Sequence, residues 1–155
     1  MQDNLENNGN HRYSIITGIN KTAAIFKKYQ QDIPVYEDIQ LSKLADEQPS
    51  YTLKGDVHRR GDLFISLKDD CMLPLWDKGD LVLLKQVKNE ALVMGDRYYL
   101  VLKDGKEWVG VLTDTVDAFV ITPENVIYKQ VQCKKEDVWN MYKVMEGLKK
   151  TDLFK

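Results

Sequence analysis

The side chains in this chain that could do covalent or ligand chemistry are few. It has two cysteines, Cys71 and Cys133, and two histidines, His11 and His58. A thiol attacks a carbonyl only as thiolate, which requires a base or cation beside it. His58, Lys103 and Lys106 are the groups the sequence offers Cys71 for that role. Without one of them, Cys71 packs as a small apolar residue, and Cys133, in a strand-like segment, reads the same way. So few cysteines and histidines fall short of a disulfide scaffold or a zinc site, so neither a metal nor a cofactor is expected. Asp69 and Asp70 are adjacent rather than facing, which suits a solvated turn better than acid–base catalysis. Gly79-Asp80 and Gly95-Asp96 each supply one carboxylate, too sparse for a phosphate or metal loop, and are read as turns. Trp76, Trp108 and Trp139 lack the interleaved arginines of a base-stacking platform, so core or subunit-interface packing is expected of them.

Composition narrows the classes further. A chain of 155 residues with 43% hydrophobic content can build one core. Its 22 basic and 24 acidic residues give a net charge of −2, which does not suit binding nucleic acid by bulk electrostatics. His58-Arg59-Arg60 is the densest basic spot and reads as a solvated loop. No apolar run reaches membrane-spanning length, and the first residues lack the basic-then-apolar pattern of a signal peptide, so a reducing, cytoplasmic setting away from membranes is expected.

The elements that would position these residues begin with a polar, Asn-rich stretch over residues 1–20, read as a flexible tail or linker. Residues 21–30 suggest a short helix, Ile33–Tyr36 an extended segment around Pro34, and Leu41–Leu44 a single turn. From Tyr51 the texture becomes strand-like. Leu63–Leu67, Leu81–Val87, Arg97–Lys103, Glu107–Leu112, Ala118–Thr122 and Val126–Val131 are rich in β-branched and aromatic residues. Gly61-Asp62, Gly79-Asp80, Gly95-Asp96 and Asp104-Gly105 punctuate them, the last suiting a tight hairpin turn with two positive-φ residues. Val138–Leu148 fits helix and strand periodicities alike. The expected division is a linker or arm over 1–48 and a mainly β domain of bent antiparallel sheets over 49–155.

One stretch, Asp70-Cys71-Met72-Leu73-Pro74-Leu75-Trp76-Asp77-Lys78-Gly79-Asp80-Leu81-Val82, resembles the signature of the LexA/UmuD family of self-cleaving serine peptidases, which includes the C-terminal domains of lambda-type phage repressors. Three later stretches resemble its remaining motifs in order. They are Gly95-Asp96-Arg97-Tyr98-Tyr99-Leu100-Val101, then Trp108-Val109-Gly110-Val111-Leu112, then Thr122-Pro123-Glu124-Asn125-Val126-Ile127-Tyr128. The resemblance spans about residues 50–148 and implies a compact LexA-like fold of the β-clip type, with Val138–Gly147 as its last strand. Asp70, Met72, Pro74, Gly79, Asp80, Gly95 and Asp96 become the motif's structural residues.

The resemblance also implies chemistry that this chain lacks. The family pairs a serine nucleophile with a neutral lysine base. Cys71 stands at the serine position and Gly110 at the lysine position, and the family's Ala-Gly or Cys-Gly scissile dipeptides do not occur. The expectation is therefore a pseudo-peptidase with no catalytic residues. Such a domain would serve in homodimerisation and transcription regulation, as part of a phage or phage-derived repressor. It would reach DNA only through a separate domain, with Trp139, Met141 and Val144 on an exposed last strand as the pairing surface. The alternatives are a UmuD-like accessory of the SOS response, an antirepressor that pairs with a full-length repressor, and an active peptidase using Cys71.

Overall fold

Arg97-Tyr-Tyr-Leu-Val-Leu102 has almost no polar positions, although an antiparallel strand with one wet face should alternate. The computed structural model, which describes residues 30–56, 61–88 and 91–153, shows both of its faces covered. Tyr99 and Val101 enter one buried cluster with Ile65, Met72, Val82, Leu84, Tyr142 and Val144. Tyr98, Leu100 and Leu102 enter a second with Leu112, Phe119, Ile121, Cys133 and Met141. The two-residue period of a strand sends alternate side chains to opposite faces, so one strand feeds both clusters.

The described strands are β1 (Gln30–Tyr36), β2 (Tyr51–Asp56), β3 (Leu63–Ser66), β4 (Leu81–Gln86) and β5 (Arg97–Leu102), followed by β6 (Glu107–Asp114), β7 (Ala118–Thr122), β8 (Val131–Lys134) and β9 (Val138–Leu148). They form a nine-stranded sheet in the order β2-β1-β3-β4-β9-β5-β6-β7-β8. The sheet is mixed: β1 runs parallel to β3, whereas β3 to β9 pair antiparallel. Short 3-10 helices cover Leu41–Asp46 (six residues), Lys135–Asp137 and Lys150–Asp152. No helix among the described residues is long and apolar enough to cross a membrane.

The chain divides into two compact units, residues 1–33 with 53–60 and residues 34–52 with 61–155. The described part of the first unit includes a Lys54–Asp32 ion pair at 2.6 Å. Residues 34–48 correct the expected arm. They belong to the second unit, where Val35 is 0% and Leu41 1% exposed. The expected helix over 21–30 lies outside the described residues except for Gln30, which opens β1. Val126–Val131 is not a strand. The Asn125 carbonyl accepts the Tyr128 N–H at 3.1 Å and its side chain accepts the Ile127 N–H at 3.2 Å, so the chain turns there and pairs only from Val131. The Asp104-Gly105 hairpin has one positive-φ residue, Gly105 at 91°. The Gly105 N–H bonds the Leu102 carbonyl, and the Lys106 carbonyl accepts the Leu102 N–H, giving a three-residue loop closed by a glycine.

The largest correction concerns β9. It is no edge strand: β4 and β5 pair with it on either side, and the sheet's edges are β2 and β8. Met141 and Val144 are accordingly buried, at 8% and 9% exposure. Two of its residues do face outward because β9 carries two bulges. Glu146 opposes Leu83 and Val144 opposes Leu84, which leaves Met145 extra; Asn140 opposes Val101 and Val138 opposes Leu102, which leaves Trp139 extra. A bulge re-aims its additional residue, and Trp139 and Met145 are 53% and 38% exposed. Val144→Asp therefore places an uncompensated charge in the core. Urea unfolding is expected to show a loss of about 3 kcal/mol or more, where a surface strand would show almost none.

Candidate functional site

The Asp70–Trp76 segment leaves β3 as a tight turn. The Leu73 N–H bonds the Asp70 carbonyl at 3.1 Å, and the Leu75 and Trp76 N–H groups bond the Met72 carbonyl at 2.9 and 3.0 Å. Met72, fully buried, anchors this turn in the core, while Pro74, after a cis Leu73–Pro74 bond, is exposed. Gly79 has φ 88°, and its N–H bonds the Leu67 carbonyl at 2.9 Å. Asp80 is buried, at 5% exposure. It accepts the Asp77 N–H at 2.8 Å and the Lys150 N–H at 2.8 Å, tying the turn to the end of the chain. Trp76 lies over Gly147, where an added Cβ would fall inside the indole ring. Gly95 turns the chain at φ 90°, and Asp96 pairs with Lys143 at 3.0 Å, which raises the Lys143 pKa.

A second segment, Pro123–Lys129, crosses against this turn. The Asn125 N–H bonds the Cys71 carbonyl at 2.9 Å, and the Asn125 amide donates to the Asp70 carbonyl at 3.0 Å. The Tyr128 hydroxyl donates to the Asp70 carboxylate at 2.6 Å. Glu124 accepts from Arg97 Nε at 2.7 Å, and the Arg97 guanidinium stands 6.0 Å from the Trp76 ring centroid. Two stretches more than fifty residues apart in sequence thus form one polar assembly.

Between them opens a cavity of about 360 Å³, lined by Cys71, Asp69, Lys68, Tyr99, Glu107 and Val109 on one side and by Pro123, Tyr128 and Lys129 on another. Glu107, whose side chain is 6% exposed, is its polar centre. It accepts the Tyr99 hydroxyl at 2.7 Å, Lys68 Nζ at 2.9 Å and the Leu41 N–H at 2.6 Å. Burial first, and then the Glu107 charge, hold the Tyr99 hydroxyl well above the usual tyrosine range.

Cys71 is 9% exposed in this setting. Burial, then a hydrogen bond to the Asp69 carboxylate and its charge, push the thiol up to about 12. Asp69 also accepts the Cys71 N–H at 3.0 Å. A depressed pKa marks a reactive thiol, and the Asp69 and Asp70 charges beside this one act the other way. Of the groups considered as its base, the two that are described, Lys103 and Lys106, do not line the cavity. His58 lies outside the described residues, as do His11 and the Arg59-Arg60 pair. Lys103 and Lys106 flank the β5–β6 hairpin away from the cavity, Lys106 lying 3.7 Å from Asp104. Lys68 does line the cavity, but it is bound to Glu107.

Gly110 is not among the lining residues. An added Cβ there would stand 2.5 Å from the Thr122 carbonyl oxygen and 2.9 Å from Ile121 Cγ2, so β7 fills the space a side chain needs. Val109, its neighbour, shares the buried cluster with Cys71. Cys133 sits opposite Phe119 on β8, 7% exposed, in the other cluster, and burial raises its pKa. Trp139, Met141 and Val144 do not share one surface, since only Trp139 is exposed. The tryptophans are not stacked as a platform: Trp76 packs against the first cluster and Trp108 against the second. Among the described residues no group of three or more histidine, cysteine or acidic side chains could hold a metal ion.

Sequence reasoning missed Glu107, Tyr99 and Lys68. The signal available was a hairpin register placing Glu107 opposite Val101, two residues along from Tyr99, with an acid opening an otherwise apolar strand. No family model matches the chain, and no curated protein matches it.

The raised pKa values fix a pH dependence. A raised group stabilises the fold fully below its unfolded-state pKa, and that contribution is lost as the pH rises through the folded one. For Cys71 this window runs from its ordinary value of 9.0 up to about 12. The urea midpoint is expected to hold from about pH 7 to 8.5 and to fall above about pH 9. Cys71→Ser, which keeps a hydrogen-bonding group but does not titrate, should make the fall shallower between about pH 9 and 10.

Proposed function

We propose that this chain is a non-catalytic pairing module of the LexA/UmuD-like type, serving a phage or phage-derived transcription regulator. The observation that carries the proposal is the state of Cys71. It stands where the family's nucleophile would stand, yet it is buried beside Asp69 with its pKa pushed up to about 12. Neither Lys103 nor Lys106 lines the cavity, Lys68 there is bound to Glu107, and Gly110 leaves no room for a longer side chain. Further support comes from the motifs themselves. The Asp70–Asp80 and Thr122–Tyr128 stretches, picked out by resemblance, meet through the Asn125 and Tyr128 hydrogen bonds. Without peptidase chemistry, joining two chains is the family role that remains, and linked weak contacts gain effective concentration without new base contacts.

For the pairing surface, Trp139 replaces the buried Met141 and Val144. Tryptophan is enriched among residues that dominate interface energies, and a bulge on a central strand displays this one to solvent.

Light scattering from about 1 to 100 µM is expected to show a dimer that Trp139→Glu converts to monomer and that Cys71→Ala leaves intact. A monomer at every concentration would remove homodimerisation. In parallel, intact-mass measurement after prolonged incubation at about pH 10 should find a single unbroken chain in the parent protein. Gly110→Lys should likewise yield no fragment, because the Thr122 carbonyl occupies the position its side chain needs. A discrete fragment that Cys71→Ala abolishes would restore peptidase function.

A further inference from the structure

We infer that residues 123–129 form a strap that opens locally, with the sheet intact, and so controls access to the Cys71 cavity. The strap joins β7 to β8 without belonging to either, and it supplies Pro123, Tyr128 and Lys129 to the cavity wall. Its attachment is almost wholly polar. Asn125 holds the Cys71 and Asp70 carbonyls, Tyr128 holds the Asp70 carboxylate, and Arg97 holds Glu124. The apolar side chains at its crest, by contrast, contribute nothing to the core, with Val126 93% and Ile127 78% exposed. Segments that bury little apolar surface and are tied down by accessible hydrogen bonds belong to the low-stability end of a protein's opening spectrum.

The two ends of the strap differ. At its start Glu124 is pinned by Arg97, which in turn stands over Trp76, packed on Gly147. This end is built into the domain, whereas Asn125 and Tyr128 reach across to a single turn. Breaking those contacts lets the segment beyond the pinned Glu124 swing away and uncovers the Cys71 backbone and the wall around its thiol. The strap would therefore gate anything that enters the cavity, and its exposed Val126–Ile127 crest gives a partner a handle on the opening that does not touch Cys71.

The chain carries its own control, because Cys133 is as buried as Cys71 but lies in the other cluster. The experiment follows alkylation of both cysteines by iodoacetamide under native conditions, resolved by peptide mass spectrometry. Cys71 is expected to label with little dependence on urea below the unfolding transition, since local opening exposes little surface, while Cys133 follows global unfolding. Met141→Ala, a core truncation remote from the strap, should speed Cys133 labelling and leave Cys71 unchanged. Asn125→Ala, which removes a latch hydrogen bond, should speed Cys71 about tenfold, and Tyr128→Phe should act in the same direction. The inference is overturned if Cys71 follows Cys133 through urea and Met141→Ala, or if neither latch variant changes the Cys71 rate.

Discussion

The last strand holds the sheet together. β9 is the only strand described between β4 and β5, so the β3–β4 pair and the β5–β8 meander are continuous only through its hydrogen bonds. Its side chains supply both cores, with Tyr142 and Val144 on one face and Met141 on the other. Because Gly147 lies on this strand, it also provides the bare surface on which Trp76 rests, and through Trp76 and Arg97 it reaches the strap. Placing the strand centrally also accounts for its bulges. Eleven residues must match two partners of different register, and the two that match neither, Trp139 and Met145, turn outward.

On that frame the Cys71 turn is set in an acidic neighbourhood. Asp69 receives the residue's N–H and its thiol, Asp70 is engaged by Tyr128, and Glu107 takes Tyr99, Lys68 and the Leu41 N–H. Each carboxylate is satisfied by a structural donor, so each stays in place while disfavouring a further negative charge nearby. A thiolate here would lose solvation and gain repulsion together, which is why burial and charge push the thiol the same way. Lys68, the cation bound into this group, is committed to Glu107.

Much of the fold was legible because strand periodicity and turn chemistry are local. Ala118–Thr122 and Val138–Leu148 emerge with the bounds read from the residues, and the chain turns at Gly79, Gly95 and Gly105 as read, although only Gly105 of the Asp104-Gly105 pair takes a positive φ. What failed was non-local. Nothing in Val138–Leu148 states whether it lies at an edge, since that depends on which strands flank it, and so Met141 and Val144 were misplaced on a surface. Val126 and Ile127 have strand-forming side chains, yet Asn125 uses its carbonyl and amide oxygens to turn the backbone first. At the site, the Asp70–Cys71 motif and the Asn125–Tyr128 motif were visible as motifs. That they clasp one another depends on tertiary approach. Glu107 gave no signal beyond being an acid at the start of a strand, and its role appears only when Lys68 and Leu41, distant in sequence, converge on it.

The central claim is that the Cys71 environment keeps the thiol protonated and chemically silent. The most direct test is the pH profile of Cys71 alkylation by iodoacetamide in the folded chain, with Cys133 replaced by alanine. A protonated thiol predicts a rate that rises about tenfold per pH unit from about pH 6 to 8 with no plateau, since thiolate forms only in proportion to hydroxide. A rate already level at about pH 7 would mean a thiolate stabilised at neutral pH, and would contradict the account.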